Sequence, residues 1–274
     1  MSRETNRIDA ALVRAKAEHR VGLFPYLTAG YPALDATERL AEAAVNSGAD
    51  GLELGVPFSD PLADGSTMQR ASEVALANGS SLSWTLEMVT RLRKNLDVPL
   101  VLMTYYNPVH RYRIERFVRD ATDVGVDGVI VPDLPSTEAG PLSEAAESRG
   151  LYLVQMAAPT TTPERMAEIG RTARGFVYCV SLLGTTGVRT QLSDQLPQFM
   201  TTVRSHIQTP LLLGFGIARP EHIAAVRPHT DAVVIGSAIA DLLARTQPNE
   251  WVGALSTYVA EMRAACEAPA SIAS

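Results

Sequence analysis

One acidic residue near the end of a short apolar run is the first in this sequence that points to chemistry. In Gly51-Leu52-Glu53-Leu54-Gly55, an extended chain alternates its side chains. Gly51, Glu53 and Gly55 therefore share one face and the two leucines share the other. With the leucines turned to an outer layer, the Glu53 carboxyl points into a mouth between two residues that lack side chains. That spacing leaves room beside it for a substrate. Desolvation there raises a carboxyl pKa and prepares the group for proton transfer. The same spacing fits a structural Glu paired with a basic residue. The long segment that follows, 54–66, carries Asp60 and Asp64 among prolines and glycines, and loops of this length are often functional. Glu53, Asp60 and Asp64 are all oxygen ligands. No His joins them and no EF-hand spacing is present, so a metal site is not expected. A second long segment, 182–193, contains Gly184-Thr185-Thr186-Gly187 and suits a mobile lid.

Two glycine sites suggest an anion. Gly214-Phe215-Gly216-Ile217 and Ile235-Gly236-Ser237-Ala238 each end an apolar run, and the second opens a short helix. Glycine lets the backbone approach a ligand, and a helix N-terminus offers free N–H groups to a phosphate. Alternatively, Gly-Phe-Gly merely turns a strand.

These residues need a scaffold that gathers them. Strand-like runs occur at 21–28, 51–55, 99–106, 127–133, 151–157, 175–181, 210–217 and 231–236. Most are rich in Val, Leu and Ile with little polar alternation, as in a parallel sheet buried on both faces. Amphipathic segments lie between them, at 33–50, 84–96, 113–125, 137–150, 164–175, 196–207, 220–228 and 250–266. Gly48-Ala49-Asp50-Gly51 and Gly125-Val126-Asp127-Gly128 repeat one grammar of helix stop, turn and strand start. Eight such units predict an α/β fold, a single-domain (β/α)8 barrel over residues 1–266. Short extra helices are expected at the N-terminus and before the last helix, with a disordered tail at 267–274. A doubly wound dinucleotide fold would place Gly-x-Gly-x-x-Gly after its first strand, and Thr28-Ala29-Gly30-Tyr31-Pro32 lacks it. In a barrel, the site lies at the carboxyl ends of the strands. That end gathers Thr28, Gly30, Glu53, Tyr105, Asn107, Asp133, Tyr178, Gly214, Gly216, Gly236 and Ser237.

Composition narrows the classes. The chain has 274 residues, 24 basic and 30 acidic, a net charge of −6. This argues against a nucleic-acid surface but not against a small anionic ligand. Two distant cysteines, Cys179 and Cys266, exclude a disulfide framework. No apolar stretch reaches the roughly 18 residues of a membrane span, and residues 1–20 lack the apolar core of a signal peptide. A cytoplasmic protein is expected. His19, His206, His222 and His229 fall in helices or turns and are expected on the surface.

The run Glu53-Leu54-Gly55-Val56-Pro57-Phe58-Ser59-Asp60-Pro61-Leu62-Ala63-Asp64-Gly65 resembles the signature of the tryptophan synthase alpha subunit family. Pro25-Tyr26-Leu27-Thr28-Ala29-Gly30, Tyr105-Tyr106-Asn107-Pro108, Val131-Pro132-Asp133-Leu134-Pro135, Gly214-Phe215-Gly216-Ile217 and Gly236-Ser237-Ala238 extend the resemblance, in order, over 8–262. It implies a (β/α)8 barrel that cleaves indole-3-glycerol phosphate into indole and glyceraldehyde 3-phosphate. It also implies an α2β2 complex in which the beta subunit, not this chain, uses pyridoxal phosphate. By this resemblance Glu53 is the catalytic acid/base, Asp64 supports the indole nitrogen, and Tyr178 lies near the reacting carbon. Tyr26, Thr28 and Tyr105 line the substrate pocket, and Thr186 of the lid meets Asp64 on closure. Gly187, Gly214, Gly216, Gly236 and Ser237 form the phosphate cradle. Asp60, Asn107, Pro108 and Asp133 fall on the mouth side, where the beta subunit docks; an exposed loop is the other reading. The lid has Thr185 where the family commonly has Val, and Tyr26 stands where some members have Phe. A phosphosugar isomerase or synthase would show a catalytic Lys or an Asp on strand one, which the strand-end set lacks. A barrel kept only for interaction would have lost Glu53, Asp64 or the glycines. A lyase of the same family that releases indole on its own remains the alternative.

Overall fold

The computed structural model describes residues 6–180, 195–214 and 216–267. The eight apolar runs form nine short strands: β1 (Gly22–Thr28), β2 (Leu52–Gly55), β3 (Leu100–Met103), β4 (Gly128–Ile130), β5 (Tyr152–Leu153), β6 (Gln155–Ala157), β7 (Val177–Val180), β8 (Leu211–Gly214) and β9 (Ala232–Ile235). All paired neighbours are parallel, in the order β5-β4-β3-β2-β1-β9-β8-β7-β6. Strands β5 and β6 are halves of the single run 151–157. The first half pairs with β4 and the second with β7. The chain thus closes the barrel by turning from one neighbour to the other at Val154, whose N–H still donates to the Val129 carbonyl at 2.9 Å.

The helices are α1 (Arg7–Ala17), α2 (Ala36–Asn46), α3 (Ser66–Ala77), α4 (Leu82–Leu92), α5 (Tyr106–Tyr112), α6 (Ile114–Asp123), α7 (Gly140–Arg149), α8 (Pro163–Thr172), α9 (Leu196–His206), α10 (Pro220–Val226), α11 (Ser237–Arg245) and α12 (Trp251–Cys266). The two expected extra helices are α1 and α11. Two others, α3 and α5, were not expected from the sequence. Helix α5 carries Pro108 in its first turn, where the missing N–H costs no hydrogen bond. Among the described residues, no helix is long and apolar enough to cross a membrane.

Strand alternation divides the core in two. Leu23, Leu52, Leu54, Leu100, Leu102 and Leu213 face the helices, while Phe24, Tyr26, Val101, Met103, Phe176, Tyr178 and Val234 fill the barrel. Helix α1 sends Ile8 and Leu12 into that inner cluster and so plugs the N-terminal end. The opposite end is left for ligands.

The repeated turn grammar has a structural purpose at the plugged rim. Asp50, Asp127 and Asp231 each precede a strand, and each accepts an N–H from the start of the neighbouring strand, at Leu23, Leu100 and Leu211 respectively. Each is also paired with an arginine: Arg20, Arg93 and Arg204. Arg20 grips Asp50 through two hydrogen bonds of 2.6 and 2.8 Å. Three aspartates thus rivet adjacent strands at the end away from the chemistry. Glu267, at the start of the expected tail, forms a bridge with Arg20, and 268–274 lie outside the described residues.

Candidate active site

Glu53 stands on β2 beside Tyr26 of β1, its partner in register. Leu52 and Leu54 are fully buried against the helix layer, so the carboxyl faces inward, as the alternation predicts. The residue is 2 % exposed, and its Oε1 has no hydrogen-bond partner among the described residues. A buried acceptor without a donor is costly in a resting protein, which marks it as a group awaiting a ligand. Burial, and after it the charge of Asp64, pushes the Glu53 pKa up to about 8.

The glycines flanking Glu53 do not hold open substrate space, contrary to the expectation from spacing. A Cβ on Gly55 would overlap the Tyr26 hydroxyl, and one on Gly51 would overlap the Phe24 ring. Both therefore make space for aromatic rings of the next strand. Gly214 behaves likewise, since a Cβ there would run into the Tyr178 hydroxyl. Burial holds the Tyr26 and Tyr178 hydroxyls protonated, their pKa values pushed far up.

Asp64 arrives on the 56–65 loop between β2 and α3. Tyr105, just past β3, accepts a hydrogen bond from the Ala63 N–H at 3.1 Å, and its ring packs 5.3 Å from that of Phe58. The same hydroxyl bonds the Asp64 carboxyl. Gln69 of α3 donates to the Asp64 carbonyl at 2.9 Å. Burial raises the Asp64 pKa to about 6, and the Tyr105 hydrogen bond restrains that rise.

A small cavity, partly open to solvent, brings together Tyr26, Glu53, Asp64, Tyr178, Gly216, Gly236 and Ser237. Met68, Met103, Ile217 and Val234 complete its apolar wall. These four were not singled out from the sequence. Met103 and Val234 were within reach, because strand alternation places them on the inner face. Met68 belongs to the unexpected helix α3. Gly236 caps α11 and Ser237 begins it, so first-turn N–H groups without helical acceptors stand at the cavity edge. Gly216 has φ of +81°, a left-handed conformation that favours glycine. Thr28, Tyr105 and Gly214 lie around this centre but do not line the cavity. Thr186 and Gly187 lie outside the described residues. Among the described residues, no cluster of three His, Cys, Asp or Glu could hold a metal.

On the outer rim Asp60 and Asn107 are exposed and Pro108 is half-buried. Asp133 is exposed and accepts the Tyr106 N–H at 2.8 Å, tying down the start of α5. Leu62 is 88 % exposed at the tip of the Asp64 loop. One histidine contradicts its expected place: His222 is buried, at 5 % exposure, because α10 turns it inward beneath the 216–219 turn.

The family model for the tryptophan synthase alpha chain matches residues 12–267. A tryptophan synthase alpha chain from Chloroflexus aggregans is 44 % identical over 263 residues, covering 96 % of this chain and 98 % of the relative. The chain also resembles the crystal structure of tryptophan synthase subunit alpha from Legionella pneumophila, at 37 % identity and a TM-score of 0.89, covering 96 % of this chain and 98 % of that one. A tryptophan synthase structure from Mycobacterium tuberculosis matches at 34 % identity and a TM-score of 0.88, covering 97 % of this chain and 100 % of that one. A barrel mouth holding two raised carboxyls, matched along almost its whole length, places this chain in the tryptophan synthase alpha chain family.

Proposed function

We propose that Glu53 moves the protons and Asp64 holds the charge in the retro-aldol cleavage of indole-3-glycerol phosphate. The chain is a lyase that releases indole and glyceraldehyde 3-phosphate and partners a beta subunit. The observation that carries the division of labour is the dry Glu53 carboxyl, whose Oε1 has no partner among the described residues, sharing a cavity with Asp64. With one pKa near 8 and the other near 6, Glu53 is neutral and Asp64 ionised at pH 7, each by roughly ten to one. Opposite protonation states are what the reaction requires.

Glu53 donates its proton to indole C3, and the positive charge appears on the ring nitrogen. Asp64 stabilises that charge, a term of roughly 3–4 kcal/mol for one preorganised group. The Glu53 carboxylate then takes the proton from the hydroxyl on the adjoining carbon. The oxygen's electron pair forms the aldehyde C=O, the carbon–carbon bond breaks, and its pair restores the indole ring. Glu53 ends protonated, ready for the next turnover. Tyr178 lies near the reacting carbon, and Tyr26 contacts the substrate. Gly216, Gly236 and Ser237 hold the phosphate, whose binding energy orients the far end of the substrate.

Residues 1–266 act as one catalytic domain in the cytoplasm, within an α2β2 complex whose pyridoxal phosphate belongs to the beta subunit. Asp60, Asn107, Pro108 and Asp133 face that subunit, with exposed Leu62 as its apolar anchor. The test follows indole formation by wild type and Glu53→Gln. The variant should lose at least ~100-fold, the low end for a general acid/base. Full activity would overturn the assignment. Added beta subunit should speed wild type, and Leu62→Asp should blunt that gain; an undiminished gain would remove Leu62 from the interface.

A further inference from the structure

His222 is the one buried histidine among the described residues, and the reaction above does not use it. It sits on α10 behind the turn that carries Gly216 and Ile217 to the cavity wall. Its Nδ1 is 3.0 Å from the Gly216 carbonyl oxygen and 3.2 Å from the Ala218 nitrogen, and its Nε2 is 3.3 Å from an Arg219 guanidinium nitrogen. One ring nitrogen carries either a proton or a lone pair, so Nδ1 serves only one of its two neighbours.

The three contacts select between the tautomers. With the proton on Nε2, Nδ1 accepts from the Ala218 N–H. That form, however, points an N–H at the Arg219 donor and a lone pair at the Gly216 oxygen. With the proton on Nδ1, the ring donates to the Gly216 carbonyl and Nε2 accepts from Arg219, while the Ala218 N–H loses Nδ1 as an acceptor. The second form satisfies two contacts and the first satisfies one. From α12, the Tyr258 hydroxyl donates to the Ala218 carbonyl at 3.0 Å. Two side chains from the helix layer thus hold two carbonyls of this turn from behind, on the side away from the cavity. Gly216, at φ +81°, has no side chain of its own to steady it.

We infer that His222 is a positioning residue for the phosphate grip: as the Nδ1–H tautomer it fixes the Gly216 carbonyl and so preorganises the 216–218 turn for the phosphate of the substrate. This rests on the phosphate site proposed above. Preorganisation acts on binding rather than on the proton transfers at Glu53, so its loss appears in affinity for the anion and in KM, not in kcat.

The test measures binding of inorganic phosphate by calorimetry, together with KM and kcat for indole-3-glycerol phosphate. Losing one hydrogen bond that orders the turn should weaken phosphate and raise KM by about tenfold in His222→Leu, with kcat within about twofold. His222→Asn, whose amide N–H occupies the place of Nδ1–H, should restore both to within about threefold. Equal phosphate affinity in the His222→Leu variant and the wild-type protein, or a fall in kcat alone, would overturn the inference. So would failure of the Asn variant to rescue a folded but weakened Leu variant. Should the Leu variant not fold, nitrogen-15 NMR of the wild-type ring decides, since a proton on Nε2 rather than Nδ1 contradicts the inference. Ser237→Asp separates the two layers: it should abolish phosphate binding by placing a carboxylate at the α11 N-terminus. If it leaves binding unchanged, the phosphate site itself is misplaced; if it abolishes binding while His222→Leu does not, only the role of His222 fails.

Discussion

Replacing Glu53 by Gln should make the protein more stable near neutral pH even as it removes activity. Glu53 is buried and its pKa is raised from 4.5 to about 8. Below pH 4.5 the carboxyl is protonated in both folded and unfolded chains, and pH-linked cost is absent. Above 4.5 the unfolded chain ionises while the folded chain holds its proton, so the native state loses about 1.4 kcal/mol per pH unit relative to the unfolded state. The loss continues until pH reaches the folded pKa near 8. At pH 7 the interval is about 2.5 units, and the penalty is about 3 kcal/mol. Gln cannot ionise and is free of it. Burying the amide adds an offset of its own, but that offset does not change with pH. Urea unfolding of both proteins at pH 4.5, 6, 7 and 8 therefore isolates the term: the stability difference should swing toward the variant by about 3 kcal/mol between pH 4.5 and 7. Parallel curves across that range would refute the claim that Glu53 is held dry.

Other consequences follow from the same geometry. The pH profile of kcat/KM should be bell-shaped: it rises as Asp64 ionises near 6 and falls as Glu53 loses its proton near 8, and a flat profile from 5 to 9 would contradict the two roles. Tyr105→Phe removes the hydrogen bond that restrains the Asp64 pKa, so the acidic limb should move to higher pH, which steady-state rates across pH 5–7 would show. Gly55→Ala drives a methyl group into the Tyr26 hydroxyl, and thermal unfolding together with indole release should show both stability and rate falling, by more than ~1 kcal/mol in stability. Asp50→Ala removes two hydrogen bonds from the buried Arg20 guanidinium, leaving it Glu18 and the Val21 carbonyl, and should cost about 1.5–3 kcal/mol in urea unfolding, far from the site and with little change in KM.

Much of the barrel was legible because its strands are buried on both faces. Such runs are continuous in Val, Leu and Ile, and glycine stops at Gly48 and Gly125 punctuate them. The same alternation that sends Leu52 and Leu54 outward sends Glu53 inward, so the central carboxyl was readable from its own short run. Other features depend on contacts between distant segments. Nothing local announces that the glycines at 51 and 55 serve Phe24 and Tyr26, since the rings come from another strand. Tyr105 lies at a strand end and fits a pocket wall by position. Its hydroxyl is instead the clasp of the Asp64 loop, a pairing 42 residues long in sequence. Helix α5 was hidden by Pro108, whose place in a first turn is harmless only once the helix start is known. His222 looks like a surface residue in the sequence because α10 is short and polar at its start. Its burial comes from the turn folded over it.

The most direct test of the chemistry is the ionisation of Glu53 itself. Carbon-13 NMR of side-chain-labelled glutamate, with the resonance assigned by its loss in Glu53→Gln, follows the carboxyl through pH 4 to 9. A midpoint near 8, with the group still protonated at pH 7, is expected for the acid that delivers a proton to indole C3. A midpoint near 4.5, the ordinary value for glutamate, would mean that the residue is solvated or paired and cannot play that part.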